Sequence, residues 1–183
     1  MRLLLHICCA PCSLYPLKEL SAKKKFEEIT GFYYNPNIHP PSEYKLRRDA
    51  LKKSEQDLGF KVIYPPYNME EYFKKVFCSR EQACLFPTNK CRLCWELRLE
   101  RTAQFAKENG FNSFTTTLLI SPYQKHDLIK EIGNKIALER GLEFYYEDFR
   151  TGFKPSQEEA KKKDIYRQKY CGCVFSELER VKM

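Results

Sequence analysis

The chain opens with Arg-Leu-Leu-Leu-His-Ile-Cys-Cys-Ala-Pro-Cys (residues 2–12), an apolar run that ends in three closely spaced cysteines. An apolar run of this length predicts a buried strand over Arg2–Cys8. Similar runs occur further along the chain, at Glu28–Tyr34, Phe60–Tyr64, Ser113–Ile120 and Leu142–Tyr146. Helical patterns separate these runs. Strands that alternate with helices predict a mainly parallel sheet of about five strands, wrapped by helices on both faces.

Helix start and stop signals support this alternation. Ser42 is a predicted cap for a helix that ends before Gly59, and two pairs have capping-box spacing, Asn68 with Glu71 and Ser156 with Glu159. Two further helices are predicted, one from Cys91 to Gly110 and one from Pro122 to Gly141. We therefore expect an α/β fold in one catalytic domain, residues 1–183, with a helical C-terminal part that carries Cys171-Gly172-Cys173.

Composition narrows the class of protein. The 183 residues hold 32 Lys and Arg against 24 Asp and Glu, a net charge of +8, which fits a polyanionic partner and equally fits a solvated basic surface. Nine cysteines are too few, and odd in number, for a disulfide scaffold. His6 interrupts the first apolar run, so we expect no signal peptide, and no apolar run is long enough to cross a membrane. A cytoplasmic protein is predicted.

Six cysteines fall into three tight pairs that lie far apart in the chain: Cys8-Cys9, Cys91-x-x-Cys94 and Cys171-Gly-Cys173. Structural thiols behave as small apolar side chains and have no reason to pair in this way. Short loops that aim two sulfurs at one centre are typical of iron-sulfur or other metal sites, or of redox-active dithiols. A zinc-stabilised RNA-binding module and a general thiol-disulfide oxidoreductase remain alternatives. Cys78 and Cys84 match no ligand spacing and are expected to be ordinary structural thiols.

Several motifs together resemble one family, the cobalamin-independent epoxyqueuosine reductases, or QueH family. They are Leu4-Leu-His-Ile-Cys-Cys-Ala-Pro-Cys-Ser13, Tyr34-Asn-Pro-Asn-Ile38 followed by Pro41 and Glu43-Tyr44, Cys91-x-x-Cys94, Thr116-Thr-Leu-Leu-x-Ser-Pro122 and Tyr170-Cys-Gly-Cys173. The resemblance covers nearly the whole chain. It implies a Rossmann-like fold similar to the adenine-nucleotide α-hydrolases. It also implies removal of the epoxide oxygen of epoxyqueuosine at the wobble position of tRNA, the last step of queuosine biosynthesis. The tRNAs implied are those for Tyr, His, Asn and Asp. The first loop lacks the Ser-Gly-Gly-x-Asp-Ser pyrophosphate cradle, so we expect no use of ATP.

This resemblance guides the assignment of the cysteines. Four thiolates ligate a typical 4Fe-4S cluster, and the expected ligands are Cys8, Cys9, Cys91 and Cys94. The remaining pair, Cys171 and Cys173, is expected to act as a redox-active dithiol. It could instead bind a separate iron ion, or give one ligand to the cluster. Cys12 is a possible additional ligand, and the electron donor is not identified by the sequence.

Polar and aromatic residues that follow the predicted strands are candidates for binding the substrate, because parallel sheets bind ligands at the carboxyl ends of their strands. Unpaired bases are stacked on aromatic side chains and hydrogen-bonded at their edges. The candidates are Tyr34, Asn35, Asn37, Tyr44, Ser121, Tyr123 and Gln124. Possible proton donors are Tyr123, His126 and Asp127, and Arg47, Arg48 and Arg150 are possible phosphate contacts.

Overall fold

The computed structural model describes residues 1–77 and 89–181, so Cys78 and Cys84 lie outside the described residues. A five-stranded parallel sheet has the order β3-β2-β1-β4-β5. The strands are β1 Arg2–His6, β2 Glu28–Phe32, β3 Val62–Ile63, β4 Ser113–Thr116 and β5 Glu143–Phe144. Parallel pairing, five strands and helices between them confirm the predicted α/β class.

The first strand lies at the centre of the sheet. Leu4 pairs with Thr30 on one side and with Phe114 on the other. Leu3, Leu4 and Leu5 are fully buried. Helices cover both faces of a parallel sheet, which is why a central strand of this kind is continuously apolar rather than alternating.

Seven helices surround the sheet within the described ranges. They are α1 Ala10–Ala22, α2 Pro41–Leu58, α3 Met69–Phe77, α4 Lys90–Glu108, α5 His126–Arg140, α6 Phe153–Lys162 and α7 Val174–Val181. Gly59 and Gly141 take left-handed conformations at the ends of α2 and α5, as the stop signals predict. No helix in residues 1–77 or 89–181 combines the length and the apolar character that crossing a membrane requires.

Three local predictions are wrong. Pro40, not Ser42, is the N-cap of α2. Ser156 lies inside α6, where its hydroxyl accepts a hydrogen bond from the Tyr15 backbone N–H at 3.3 Å instead of capping the helix. The predicted strand Ser113–Ile120 stops at Thr116, whose hydroxyl accepts from the Leu118 N–H at 3.1 Å and starts a 3₁₀ turn over Thr117–Ile120. Short polar side chains can redirect the backbone in this way.

A second, smaller apolar cluster lies beside the main core. It joins α3, the first turn of α4 and the C-terminal segment, and its buried members are Tyr72, Val76, Cys94, Cys173 and Phe175. Two of the cysteine pairs therefore each contribute a member to one packed cluster.

Candidate active site

The site lies where the strand order reverses. From β1 the chain continues to β2 on one side, and β4 pairs with β1 on the other side. Open α/β sheets bind ligands in the crevice outside the carboxyl ends of the strands at such a switch point. The residues that follow β1 and β4 meet at this point: the backbone N–H of Cys8, after β1, donates to the hydroxyl of Thr117, after β4, at 3.1 Å.

Three cysteines form one group at this crevice. The sulfur atoms of Cys8, Cys9 and Cys12 all lie within 4.8 Å of one another, and the Cys8 and Cys9 Sγ atoms are 3.8 Å apart. Cys9 is the N-cap of α1 and Cys12 lies in its first turn. The N-terminal end of a helix favours negative charge, so this position favours thiolates. We call these residues the three-thiol group.

Hydrogen bonds and burial shift the pKa values of the three thiols in different directions. Those from Cys12 and Cys9 lower the pKa of Cys8 well below its usual range, and the Thr117 hydroxyl, 3.3 Å from the Cys8 sulfur, adds to this. The same interactions raise the pKa of Cys12, while burial raises the pKa of Cys9. A thiophilic metal ion that replaces the thiol protons fits this donor set.

The other four cysteines form a second group. Cys91 and Cys94 lie in the first turn of α4, and Cys171 and Cys173 precede α7; all four line one cavity of about 440 Å³. Burial raises the pKa of Cys94 to about 12 and that of Cys171 to about 11. We call these residues the four-thiol group.

The structure places the cysteines in two groups, while the ligand set expected from the sequence, Cys8, Cys9, Cys91 and Cys94, stays a prediction. Within residues 1–77 and 89–181, the only set of three or more metal-ligating side chains within 4.8 Å is the three-thiol group, which includes Cys12. Cys91 and Cys94 share their cavity with Cys171 and Cys173. The two groups adjoin, because Cys171 also lines a second cavity, of about 330 Å³, together with Cys8 and Cys12.

Arg47 holds the C-terminal segment in place. This fully buried side chain forms an ion pair with Glu43 at 2.7 Å and donates to the carbonyls of Tyr170 and Cys171, each at 3.0 Å. The His39 backbone N–H also donates to the Gly172 carbonyl at 2.7 Å. Arg47 therefore positions the loop of the four-thiol group. Its burial in this network argues against the phosphate contact considered from the sequence.

The candidate substrate residues divide into two sets. Ser121, Tyr123 and Gln124 line the cavity of about 330 Å³, and Asn37 lines the larger one. In contrast, Tyr34, Asn35 and Tyr44 are buried and engaged in packing or internal hydrogen bonds.

Of the candidate proton donors and phosphate contacts, Tyr123 and Arg47 line the cavity of about 330 Å³, whereas His126, Asp127, Arg48 and Arg150 line neither cavity. His126 is buried, with its Nε2 3.3 Å from the Ser121 carbonyl oxygen. Arg48 pairs with Asp49, and Arg150 pairs with Asp148.

Two residues of the site, Gln168 and Arg98, were not expected from the sequence. Gln168 donates from Nε2 to the Cys9 sulfur at 3.0 Å, although 159 residues separate them. Arg98 is buried on α4 and lines both cavities. Neither residue belongs to a recognisable motif; only the position of Arg98 one turn after Cys94 could have pointed to it.

The fold and the site define a class: an α/β protein with a thiol site, able to bind a metal or an iron-sulfur cluster, at the switch point of a parallel sheet. The family model for epoxyqueuosine reductase QueH matches residues 3–179. The chain belongs to the epoxyqueuosine reductase QueH family. It is accordingly an oxidoreductase of the final step of queuosine biosynthesis. Enzymes of this family act on epoxyqueuosine-modified tRNA.

Two bacterial proteins of this family are similar to the chain over nearly its whole length. The epoxyqueuosine reductase QueH of Dehalococcoides mccartyi is 39% identical over 180 residues, which span 98% of this chain and 94% of that protein. The QueH protein of Thermotoga maritima is also 39% identical, over 97% of this chain and 91% of its own length. Among solved structures, a predicted subunit of a tRNA methyltransferase from Methanocaldococcus jannaschii aligns with a TM-score of 0.49 and 14% identity, covering 87% of this chain and 74% of that one.

Proposed function

We propose that the chain reduces epoxyqueuosine in tRNA with two adjoining metal centres, one on each thiol group. The four-thiol group offers four thiols on one cavity, which is the number of protein ligands that a typical 4Fe-4S cluster takes. The three-thiol group suits an additional iron ion, because three protein ligands leave a coordination position open for substrate. The observation that carries this proposal is that Cys171 lines both cavities, so that the two thiol groups lie on adjoining cavities.

The reaction consumes two electrons and two protons for each epoxide oxygen, which leaves as water. When bound, a cluster supplies electrons one at a time and an iron ion acts as a Lewis acid. The protein contributes the thiolates and the hydrogen bonds that hold them, from Thr117 to Cys8 and from Gln168 to Cys9. The electrons come from an external reductant. The seven free thiols of the described residues fit a reducing compartment such as the cytoplasm.

The wobble base of the tRNA is proposed to enter the cavity of about 330 Å³. Tyr123 lines this cavity and is 82% exposed, and its ring is proposed to stack on the base. The Gln124 carbonyl accepts from the Trp95 indole N–H at 3.0 Å, which fixes the amide and leaves its NH₂ group to donate. By the family resemblance, the partners are the tRNAs for Tyr, His, Asn and Asp.

Substitution of single cysteines tests the ligand assignment. We expect anaerobically reconstituted protein to contain iron and acid-labile sulfide. Cys94→Ser or Cys173→Ser should abolish the cluster and with it the acid-labile sulfide. Cys12→Ser should instead remove only the additional iron ion and leave the sulfide unchanged. Cys84→Ser serves as a matched control, because Cys84 matches no ligand spacing. Loss of sulfide in Cys8→Ser and Cys9→Ser, but not in Cys173→Ser, would instead support a cluster on Cys8, Cys9, Cys91 and Cys94 with a redox-active Cys171-Gly-Cys173 pair.

Mass spectrometry of nucleosides tests the activity directly. Epoxyqueuosine-containing tRNA is incubated with the reconstituted enzyme and a chemical reductant, and the conversion to queuosine is measured. We expect conversion by the unmodified protein and by Cys84→Ser. Persistence of the epoxide with fully loaded protein would contradict the proposed centres.

A further inference from the structure

Arg98 is a buried cation that has no acidic partner among the residues that the structure describes. It is 2% exposed, and its hydrogen bonds go to the Cys94 carbonyl at 3.3 Å and, at the long distance of 3.5 Å, to the Asn35 amide oxygen. Both acceptors are neutral. Among the ion pairs of the described residues, none includes Arg98, whereas the equally buried Arg47 is paired with Glu43 at 2.7 Å.

Burying an unpaired charge is strongly unfavourable, and proteins normally provide a counter-ion. The ionisable groups that interact with Arg98 are thiols, a phenol and the buried imidazole of His6, and none of them is a carboxylate. Burial acts to lower the pKa of Arg98, whereas Cys94, Cys171 and Cys8 raise it when they are charged. These cysteines belong to both thiol groups, and Arg98 lines the cavities of both.

We propose that Arg98 is the shared counter-cation of the two thiol groups and stabilises them when they hold metal. The inference rests on the proposed ligation of metal by these thiols. Three thiolates around a divalent ion make a site of charge −1, and four make a site of charge −2. Metal binding thus places net negative charge beside Arg98, which pairs with no carboxylate among the described residues. Arg98 acts through the ligands and is a positioning residue.

This role predicts effects of opposite sign in the two states. Arg98→Met keeps most of the apolar stem and removes the charge. The metal-free variant should unfold at a higher temperature than the unmodified protein, because a buried unpaired charge is gone. Its affinity for metal should fall at least tenfold at both groups. A residue that only fills space would instead lower the unfolding temperature of both states.

The test uses the full chain and Zn²⁺ as a thiolate-binding probe, with thermal unfolding before and after metal addition and a competition titration for affinity. Arg98→Lys retains the charge and should keep most of the affinity. Arg101→Met removes a charge from the exposed side of the same helix and should change neither measurement.

Two outcomes overturn the inference alone. In one, Arg98→Met folds but unfolds at a lower temperature than the unmodified protein when both are metal-free. In the other, unmodified protein binds Zn²⁺ and Arg98→Met binds it equally tightly. If Arg98→Met does not fold, Arg98→Lys decides the question: affinity close to that of the unmodified protein supports the inference, and a loss of tenfold or more refutes it. Failure of the unmodified protein to bind metal at either group would overturn the ligand assignment itself, and the role of Arg98 with it.

Discussion

Gly172→Ala should disrupt the four-thiol group. Gly172 lies between Cys171 and Cys173 with φ +127°, a conformation that residues with a side chain rarely adopt. A Cβ atom there would lie 3.0 Å from an Arg47 guanidinium nitrogen and 3.1 Å from Ile38 Cγ1, both buried. The backbone cannot turn away easily, because the Gly172 carbonyl accepts from the His39 N–H at 2.7 Å.

The expected loss in the free energy of unfolding is roughly 2–4 kcal/mol, from backbone strain of about 1–3 kcal/mol and from overpacking against Arg47 and Ile38. Gly59→Ala is the matched control. Gly59 also has a positive φ, of 65°, but a Cβ atom there would meet nothing within 4 Å, so about 1 kcal/mol is expected. Urea unfolding measures both losses, and acid-labile sulfide reports on the cluster. If Gly172→Ala costs no more than Gly59→Ala and keeps its sulfide, the reasoning is refuted.

Three other substitutions test separate parts of the site. Arg47→Met should lower the free energy of unfolding by about 3–5 kcal/mol, measured in urea, because it leaves Glu43 buried without its cation. Burial raises the pKa of Tyr33, so above about pH 10 the unfolded chain releases the phenol proton while the folded protein keeps it, and the free energy of unfolding falls as the pH rises. Tyr33→Phe should make this fall smaller, and unfolding curves at several pH values measure it. Thr117→Val removes the hydroxyl that donates to the Cys8 sulfur and should weaken metal binding about tenfold in a competition titration. An unchanged urea unfolding curve for Arg47→Met would contradict the first argument. An unchanged fall of stability at alkaline pH for Tyr33→Phe would contradict the second, and an unchanged metal affinity for Thr117→Val the third.

The class of fold and the place of the site could be predicted from the sequence. The apolar run that starts at Arg2 predicts a buried strand, as the structure shows, and Cys8 follows closely after it. Alternation with helices then places the carboxyl end of this strand at the ligand-binding edge. These predictions depend on local pattern, and local pattern is what a single sequence contains.

The partners of each cysteine pair could not be predicted. Spacing shows that Cys91 and Cys94 share one turn of helix, but it does not show which distant loop faces them. That depends on how Arg47 holds the C-terminal segment, a contact across 124 residues. The grouping of Cys12 with Cys8 could have been argued, because Pro11 favours the first turn of a helix and Cys9 then becomes its cap.

The two thiol groups differ in how the chain builds them. The three-thiol group joins the central strand to the first turn of α1, over residues adjacent in sequence, and its geometry follows once the sheet forms. The four-thiol group needs α4 and the segment before α7 to meet, and backbone contacts from Arg47 and His39 hold that segment. Metal on the four-thiol group would add bonds between these two parts of the chain, and ligands that bind the folded state stabilise it. A cluster at this position would therefore also have a structural role: by fixing Cys171 it would hold in place one wall of the cavity that Cys8 lines.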